Sequence, residues 1–448
     1  MNTRKDSAHL QAIAEKLVTF GQINGADEIE ISVYEGNEFS VDIRLGNIDH
    51  LVEAGSYGLS LRVIKDQKTA FAASSDLTEK TLHRLVKNAI KRAELANQDK
   101  FAGLPELQEI ESDESSMKLY DPDISSLESR KKIDLALETE RIALQNDKIT
   151  NSHGSSFETR VIRTILVNSK GFSRGYRETF FSLSLGLQGG ATDEKVEGYW
   201  GSTARFFDEL ESPEEIARNT VARTLRQLNP KKIKTQIIPV IFEPRMTSWL
   251  LGFLFSCISG TSVYQKTSFL EDKLGKKIGK DNISVVDDGL MPGKLGTHPF
   301  DAEGIPTQKT RVIDKGVLKN FLCNTYAARK LNLKTTGNAE GNSVGPNNFY
   351  LEPGRKTSNE IIASLNKGLI LTRTIGHGLN PVTGDISRGA FGLWVENGEI
   401  VHPVSEITIS GNLGIILNTI EEIGSDLEFQ SAVTGPTIKI SEMTIAGS

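Results

Sequence analysis

Residues 157–167 read Phe157-Glu158-Thr159-Arg160-Val161-Ile162-Arg163-Thr164-Ile165-Leu166-Val167, and residues 180–187 read Phe180-Phe181-Ser182-Leu183-Ser184-Leu185-Gly186-Leu187. Both have the character of long strands, and Asn168-Ser169-Lys170-Gly171 supplies a turn that pairs them antiparallel. Downstream, Ser212-Pro213-Glu214-Glu215 combines an N-cap residue, a proline at the first helical position and a glutamate at the third, which opens a helix. Upstream, Leu127, Ile133, Leu137 and Leu144 mark the apolar positions of another.

Toward the N-terminus, Leu10, Ile13, Leu17 and Phe20 fall on one helical face. Between residues 28 and 73 the pattern becomes short strand-like runs broken by turns. Ile29, Ile31 and Val33 alternate with polar residues, and Gly55-Ser56-Tyr57-Gly58 precedes a second alternating run over 59–63. Asp76 with Glu79 looks like a capping box for a helix whose inner face is Leu82, Val86, Ala89 and Ala93. From 101 to 124 periodicity disappears. Glu106, Glu109, Glu111, Asp113 and Glu114 sit there with Pro105 and Pro122, which reads as an exposed connection.

Asn229-Pro230-Lys231-Lys232-Ile233-Lys234 is the expected domain boundary, since it is polar and carries a helix-stopping proline. The expectation is therefore two mixed domains, 1-230 and 231-448, in an α+β fold. The second is expected to be rich in antiparallel hairpins. Asn397-Gly398 marks one hairpin and Asp314-Lys315-Gly316 another. The most apolar run, 249–258, has Gly252 and Ser256 within it and is too short to span a bilayer, so it suits a buried helix.

Composition narrows the class. A chain of 448 residues with 38% apolar and 25% charged residues fits a globular protein with more than one core. The formal net charge is -6 and no basic tract appears, which gives direct nucleic-acid contact no electrostatic support. Residues 1–7 lead into an amphipathic stretch rather than an apolar signal core. Two cysteines, Cys257 and Cys323, make no disulfide framework and favour a reducing compartment, so the cytoplasm is the expected location.

No P-loop, GxSxG elbow, CxxC or HExxH occurs, and the seven histidines have no metal-ligand spacing. Three of them, His298, His377 and His402, fall in the C-terminal half and can meet only if the fold brings them together. The pairs Asp287/Asp288 and Asp301/Glu303 suit either a hard cation and proton sharing or the quieter task of accepting backbone N–H bonds at turns. Residues 376–389, with His377, Asn380, Thr383, Asp385, Ser387 and Arg388, are dense in glycine. Such a loop brings backbone N–H groups close to a ligand, with Arg388 available for a carboxylate, or is a long turn between strands.

These segments also carry a family likeness. Residues 55–63, 267–270, 285–288, 300–307, 336–338 and 348–354 resemble the TldD/PmbA metallopeptidase family in its TldE/PmbA branch. The most specific match is Val382-Thr383-Gly384-Asp385-Ile386-Ser387-Arg388-Gly389-Ala390, followed by 394–400 and 404–413. The likeness is collinear from about residue 10 to the end.

In the TldD branch a helix bears HExxxH, whose histidines bind zinc while the glutamate serves as general base, and a cysteine near the C-terminus completes the site. Ungapped alignment sets those three positions at Leu251, Gly252 and Ser256, and residues 427–436 contain no thiol. The resemblance thus implies no catalytic and no metal residues in this chain, and zinc in a TldD-type partner of a heterodimer that cleaves peptides or unfolded proteins. The same family is associated with peptide-antibiotic maturation and gyrase modulation. Asp301, Glu303, His377, Asn380, Thr383, Asp385, Ser387 and Arg388 are the expected lining of a substrate chamber. Two other readings stand beside this one. The first is a homodimeric peptide-binding protein without catalysis; the second is a peptidase whose metal has moved to His298, His377 or His402 with the acidic pairs.

Overall fold

A computed structural model describes residues 3–110, 114–190 and 195–447; Glu111 and Asp113 of the acidic connection lie outside it. The N-terminal part is a six-stranded antiparallel sheet. It contains β1 (Glu28–Arg44), β2 (Asn47–Lys65), β3 (Lys68–Ser74), β4 (Ile149–Asn168), β5 (Ser173–Gly189) and β6 (Val196–Ala204), in the order β3-β2-β1-β4-β5-β6. The expected β4–β5 pairing is present, with Val167 opposite Ser173 and Phe157 opposite Leu183.

Four helices cover one face: α1 (Thr3–Ile23), α2 (Glu79–Leu95), α3 (Ser129–Ala143) and α4 (Pro213–Leu225). Ile29, Ile31 and Val33 meet the first two helices, and Phe39, Val41 and Ile43 meet the second two. Residues two apart share a face, so one strand serves both clusters. Between them Glu35 and Arg163 form an ion pair at 2.6 Å.

Two local readings need correction. Gly55-Ser56-Tyr57-Gly58 is no break; it lies inside β2, and those residues pair with 34–37 of β1. Backbone ladder bonds from a long neighbour outweigh the weak strand propensity of two glycines. Helix α2 has no capping box: its N-cap is Thr78, whose side chain makes no cap bond. Asp76 instead accepts from the Thr78 N–H at 2.9 Å and the Thr81 hydroxyl at 2.6 Å. Helix α3 forms as expected, with Ile133 and Leu137 packed against the core and Ala136, Thr139, Glu140 and Ala143 buried more deeply. Glu140 faces inward because its carboxylate accepts the Leu45 and Gly46 N–H groups of the left-handed β1–β2 turn. The capping box of α4 is present as expected, with Ser212 and Glu215 bonding reciprocally.

The remainder of the chain carries β7 (Gln236–Phe242), α5 (Pro244–Ile258), α6 (Gly260–Tyr264), β8 (Val285–Asp288), β9 (Lys309–Asp314), β10 (Val317–Leu318) and α7 (Thr325–Leu331). It continues with β11 (Ala339–Glu340), β12 (Ser343–Val344), β13 (Asn348–Leu351), α8 (Ser358–Ala363), β14 (Lys367–Ile375), β15 (Leu379–Asn380), β16 (Asp385–Glu396) and β17 (Glu399–Asn412). The last elements are α9 (Leu413–Thr419), β18 (Ile420–Ile423), β19 (Val433–Thr434) and β20 (Ile438–Ala446).

Both signalled hairpins form, β9–β10 and β16–β17. The sheet order β14-β7-β20-β17-β16 closes on itself, because β16 also pairs with β14. A second sheet runs β10-β9-β8-β13-β19. Helix α5 supplies Leu250, Leu251, Phe253, Leu254, Cys257 and Ile258 to one apolar core together with strands of both sheets. Its apolar character is thus the consequence of burial in a core.

The acidic connection is not a free linker. Arg329 of α7 donates to the carbonyls of Phe101, Gly103 and Leu104, while the Leu104 N–H bonds Glu28 at 2.6 Å. Leu104, Met117 and Leu119 are buried. The polar surface here folds back because the guanidinium of a distant helix satisfies its carbonyls. Residues 229–234 are tied down as well, with the Lys231 N–H bonding the Pro403 carbonyl.

Candidate functional site

The uncovered face of the N-terminal sheet meets loops of the C-terminal part, and charged side chains hold the contact. Arg62 on β2 reaches Glu30 on β1 and Glu303 across the junction, both at 3.2 Å. Arg205, just after β6, is fully buried. It donates to Glu178 at 2.8 Å and to the carbonyls of Lys294, Leu295 and Thr297.

Between these two pins lies a cavity of about 310 Å3 lined by Ser32, Thr164, Tyr176, His298, Asp301 and Asn338, among others. Burial pushes the Tyr176 hydroxyl above its ordinary range. Burial likewise holds the His298 imidazole below its ordinary range, with Glu178 opposing that and Arg205 reinforcing it.

The two acidic pairs resolve into loop anchors. Asp287 is fully buried and accepts from the Asn347 N–H, the Asn347 amide and the Asn338 amide, each at 2.8 Å. Burial raises it to about 6, against the pull of those bonds. Asp288 accepts the Leu290 N–H and pairs with Lys309. Asp301 takes the N–H groups of Glu303, Ile305 and Ala339, and burial followed by repulsion from Glu303 lifts it to about 7. Glu303 accepts the Thr325 N–H in addition to Arg62. Of the two, only Asp301 lines the cavity.

These raised carboxyls set a pH dependence. Glu30 is also lifted to about 7, chiefly by burial. The folded chain therefore binds more protons at these groups than the unfolded chain between about pH 4 and pH 7, so their contribution to stability falls as pH rises through that window. Glu30→Gln is expected to flatten the decline in melting temperature between pH 5.5 and 7.5 (approximate test points). An unchanged slope in the variant would mean that Glu30 does not titrate there.

The 376–389 segment is mainly the hairpin tip joining β15 to β16. Its His377, Asn380, Thr383, Asp385 and Ser387 are exposed. Most of its polar groups serve its own turn: Asn380 accepts the Val382 N–H, and Asp385 accepts from Thr383 and Asn412. Arg388 differs, because its guanidinium lies 5.2 Å from the Trp249 ring of α5. The three C-terminal histidines make separate contacts: His298 approaches Glu178, His402 stacks on Trp394, and His377 is on the exposed tip. Among the described residues, no three His, Cys, Asp or Glu side chains gather as a metal site.

Helix α5 leaves a stripe less deeply buried: Arg245, Ser248, Trp249, Gly252 and Ser256. A Cβ added at Gly252 would meet nothing within 4 Å. Leu251 turns the other way, against Gly435, where an added Cβ would come within 2.9 Å of the leucine Cδ1. Leu251, Gly252 and Ser256 thus present an aliphatic chain, a hydrogen and a hydroxyl, none of them a usual zinc ligand. The two thiols are core groups, with burial pushing Cys257 up to about 11 and Cys323 up to about 12.

At the start of α5 lies a second cavity, of about 410 Å3, between β6 and residues 426–434. Arg223, Arg245, Trp200 and Tyr199 line it. None of them carries a local sequence signal of function; only the fold brings β6, α4 and α5 together.

The chain matches, in order, PmbA/TldA metallopeptidase domain 1 over residues 29–93, the central domain over 122–228 and the C-terminal domain over 235–447. It belongs to the PmbA/TldD family. The metalloprotease PmbA of Escherichia coli is 34% identical over 94% of this chain and 93% of its own, and the Haemophilus influenzae homologue is 33% identical over 94% and 92%. A Bacteroides thetaiotaomicron structure, whose name associates it with modulation of DNA gyrase, superposes with TM-score 0.90 at 27% identity, covering 98% of each chain. TldE from Thermococcus kodakarensis shares the fold, with TM-score 0.88 at 23% identity over 97% of this chain and 100% of that one. No described helix is long and apolar enough to cross a membrane.

Proposed function

We propose that this chain is the TldE/PmbA-like, non-catalytic subunit of a metallopeptidase complex that degrades peptides or unfolded proteins, with the zinc held by a TldD-type partner. The observation that carries the reading is the face of α5. The positions that the family likeness sets against His, Glu and His hold Leu251, Gly252 and Ser256, and Leu251 is packed against Gly435. In the family pattern two imidazoles hold the ion and a glutamate takes a proton from its water, and Leu251, Gly252 and Ser256 offer neither kind of group. In this reading the chain shapes and closes the substrate chamber, with Arg388 beside α5 as the contribution of the 376–389 hairpin.

The test is metal analysis combined with a peptide-cleavage assay. The purified chain is expected to carry no stoichiometric zinc and to cleave nothing, with chelator-sensitive cleavage arising when a TldD-type chain is added. Chelator-sensitive turnover by the pure chain would overturn the reading.

A further inference from the structure

The cavity at the start of α5 combines three features that together describe a ligand. The first is an open strand edge. Among the described residues β6 ends the N-terminal sheet and pairs only with β5. The carbonyls of Glu197 and Gly201 accept side-chain bonds from Gln227 and Arg245, so they point away from β5. In an antiparallel ladder alternate residues aim N–H and C=O to the same side, which puts the backbone groups of Tyr199 and Thr203 on the same outer edge. Tyr199, Gly201 and Thr203 all line the cavity.

The second feature is a guanidinium with little to hold. Arg245 lies 4.2 Å from the Trp200 ring and 5.8 Å from Tyr199, and its one hydrogen bond among the described residues, to the Gly201 carbonyl, is 3.3 Å long. Its neighbour Arg223 reaches Glu243 at 3.0 Å, a carboxylate it shares with Arg226, whereas Arg245 makes no salt bridge among the described residues. Burial pulls its guanidinium below the ordinary range, and Tyr199, Glu211 and Glu243 only partly restore it. A planar cation stacked on an aromatic ring, with several free N–H donors, is suited to a carboxylate.

The third feature is the opposite wall. Asp426 has both oxygens engaged by Thr437, but Glu428 lines the cavity with no ion pair among the described residues. The size of the space is that of a small-ligand pocket.

The geometry points to a peptide-binding site in which an extended segment adds to the outer edge of β6 along Tyr199–Thr203 and places a carboxylate on Arg245. The carboxylate is a C-terminal one or an acidic side chain, and Glu428 receives a donor from the same segment. This rests on the peptide-handling reading above but does not need a catalytic partner, because all the groups belong to this chain.

Binding of an N-terminally fluorescein-labelled apolar hexapeptide, followed by anisotropy with the full chain alone and with a TldD-type chain, tests it. Four forms are compared: free C-terminal acid, C-terminal amide, amide with one internal glutamate, and acid with alternate backbone amides N-methylated. The free acid or the glutamate form is expected to bind at least roughly ten-fold tighter than the plain amide, as a charge-assisted bond requires. N-methylation is expected to weaken binding comparably by blocking strand addition. Which acidic form wins identifies the source of the carboxylate.

Arg245→Gln, checked for folding by circular dichroism, should erase the advantage of whichever carboxylate-bearing form binds tighter than the plain amide. Binding of the free acid and of the glutamate form that is no tighter than that of the plain amide, or an advantage of either that survives in Arg245→Gln, overturns this site while leaving peptide handling intact. No binding of any form, alone or in the complex, overturns both.

Discussion

Arg205→Ala is expected to destabilise the chain by about 3–5 kcal/mol, seen as a large fall in the urea midpoint. The reason is what the truncation leaves behind. Glu178 loses its 2.8 Å partner in a buried setting, and the carbonyls of Lys294, Leu295 and Thr297 lose their donor. An unpaired buried carboxylate is far costlier than a lost surface ion pair, which contributes about 0–1 kcal/mol. The double variant Arg205→Ala/Glu178→Gln should recover part of the loss, because it removes the stranded charge. Arg130→Ala, which breaks the exposed pair with Asp134, should change the midpoint little. A loss below about 1 kcal/mol for Arg205→Ala would mean that the junction is not held by this residue.

Asp287→Asn is the second large effect expected, about 2–4 kcal/mol from two or more disrupted hydrogen bonds. The substitution preserves shape, so packing contributes almost nothing. Three N–H donors converge on two carboxylate oxygens at 2.8 Å, and an amide offers one oxygen while turning an NH2 toward a donor. The segment 337–347 should loosen with it, since Asn338 and Asn347 are the donors, and hydrogen exchange of those amides is the direct readout. The same variant separates the two tasks open to this carboxylate. If Asp287 were a cation ligand, Asp287→Asn would fold normally and lose only metal affinity.

Local chemistry was legible wherever a few adjacent residues decide the backbone. The Asn168–Gly171 turn, the Ser212–Glu215 capping box and the Asn397-Gly398 hairpin all formed, because each is closed by bonds among near neighbours. The run at 249–258 read correctly as a buried helix for the same reason: its apolar surface leaves no other environment. Gly55–Gly58 misled because glycine reports permitted backbone freedom and not whether a neighbouring strand uses it. The acidic connection is exposed at Glu106 and Glu109 as expected, but its anchoring by Arg329, more than two hundred residues away, left no local trace.

The candidate sites divide along the same line. The residue identities on α5 were visible in the chain, and so was the absence of thiol from 427–436. That Leu251 packs on Gly435 was not visible, nor that Arg245 stacks on Trp200 beside an open strand edge.

By itself, the order of amino acids determined the strands, helix starts and turns, the family likeness, and the chemical poverty of the α5 face. Those properties depend on side-chain identity and spacing over a turn or two. Only the tertiary structure decided that the acidic pairs anchor loops, that β14 and β16 close a ring, and that Arg205 and Arg62 pin the two parts together. Such outcomes depend on which distant groups lose their water to the same neighbour, and that is a property of packing in three dimensions.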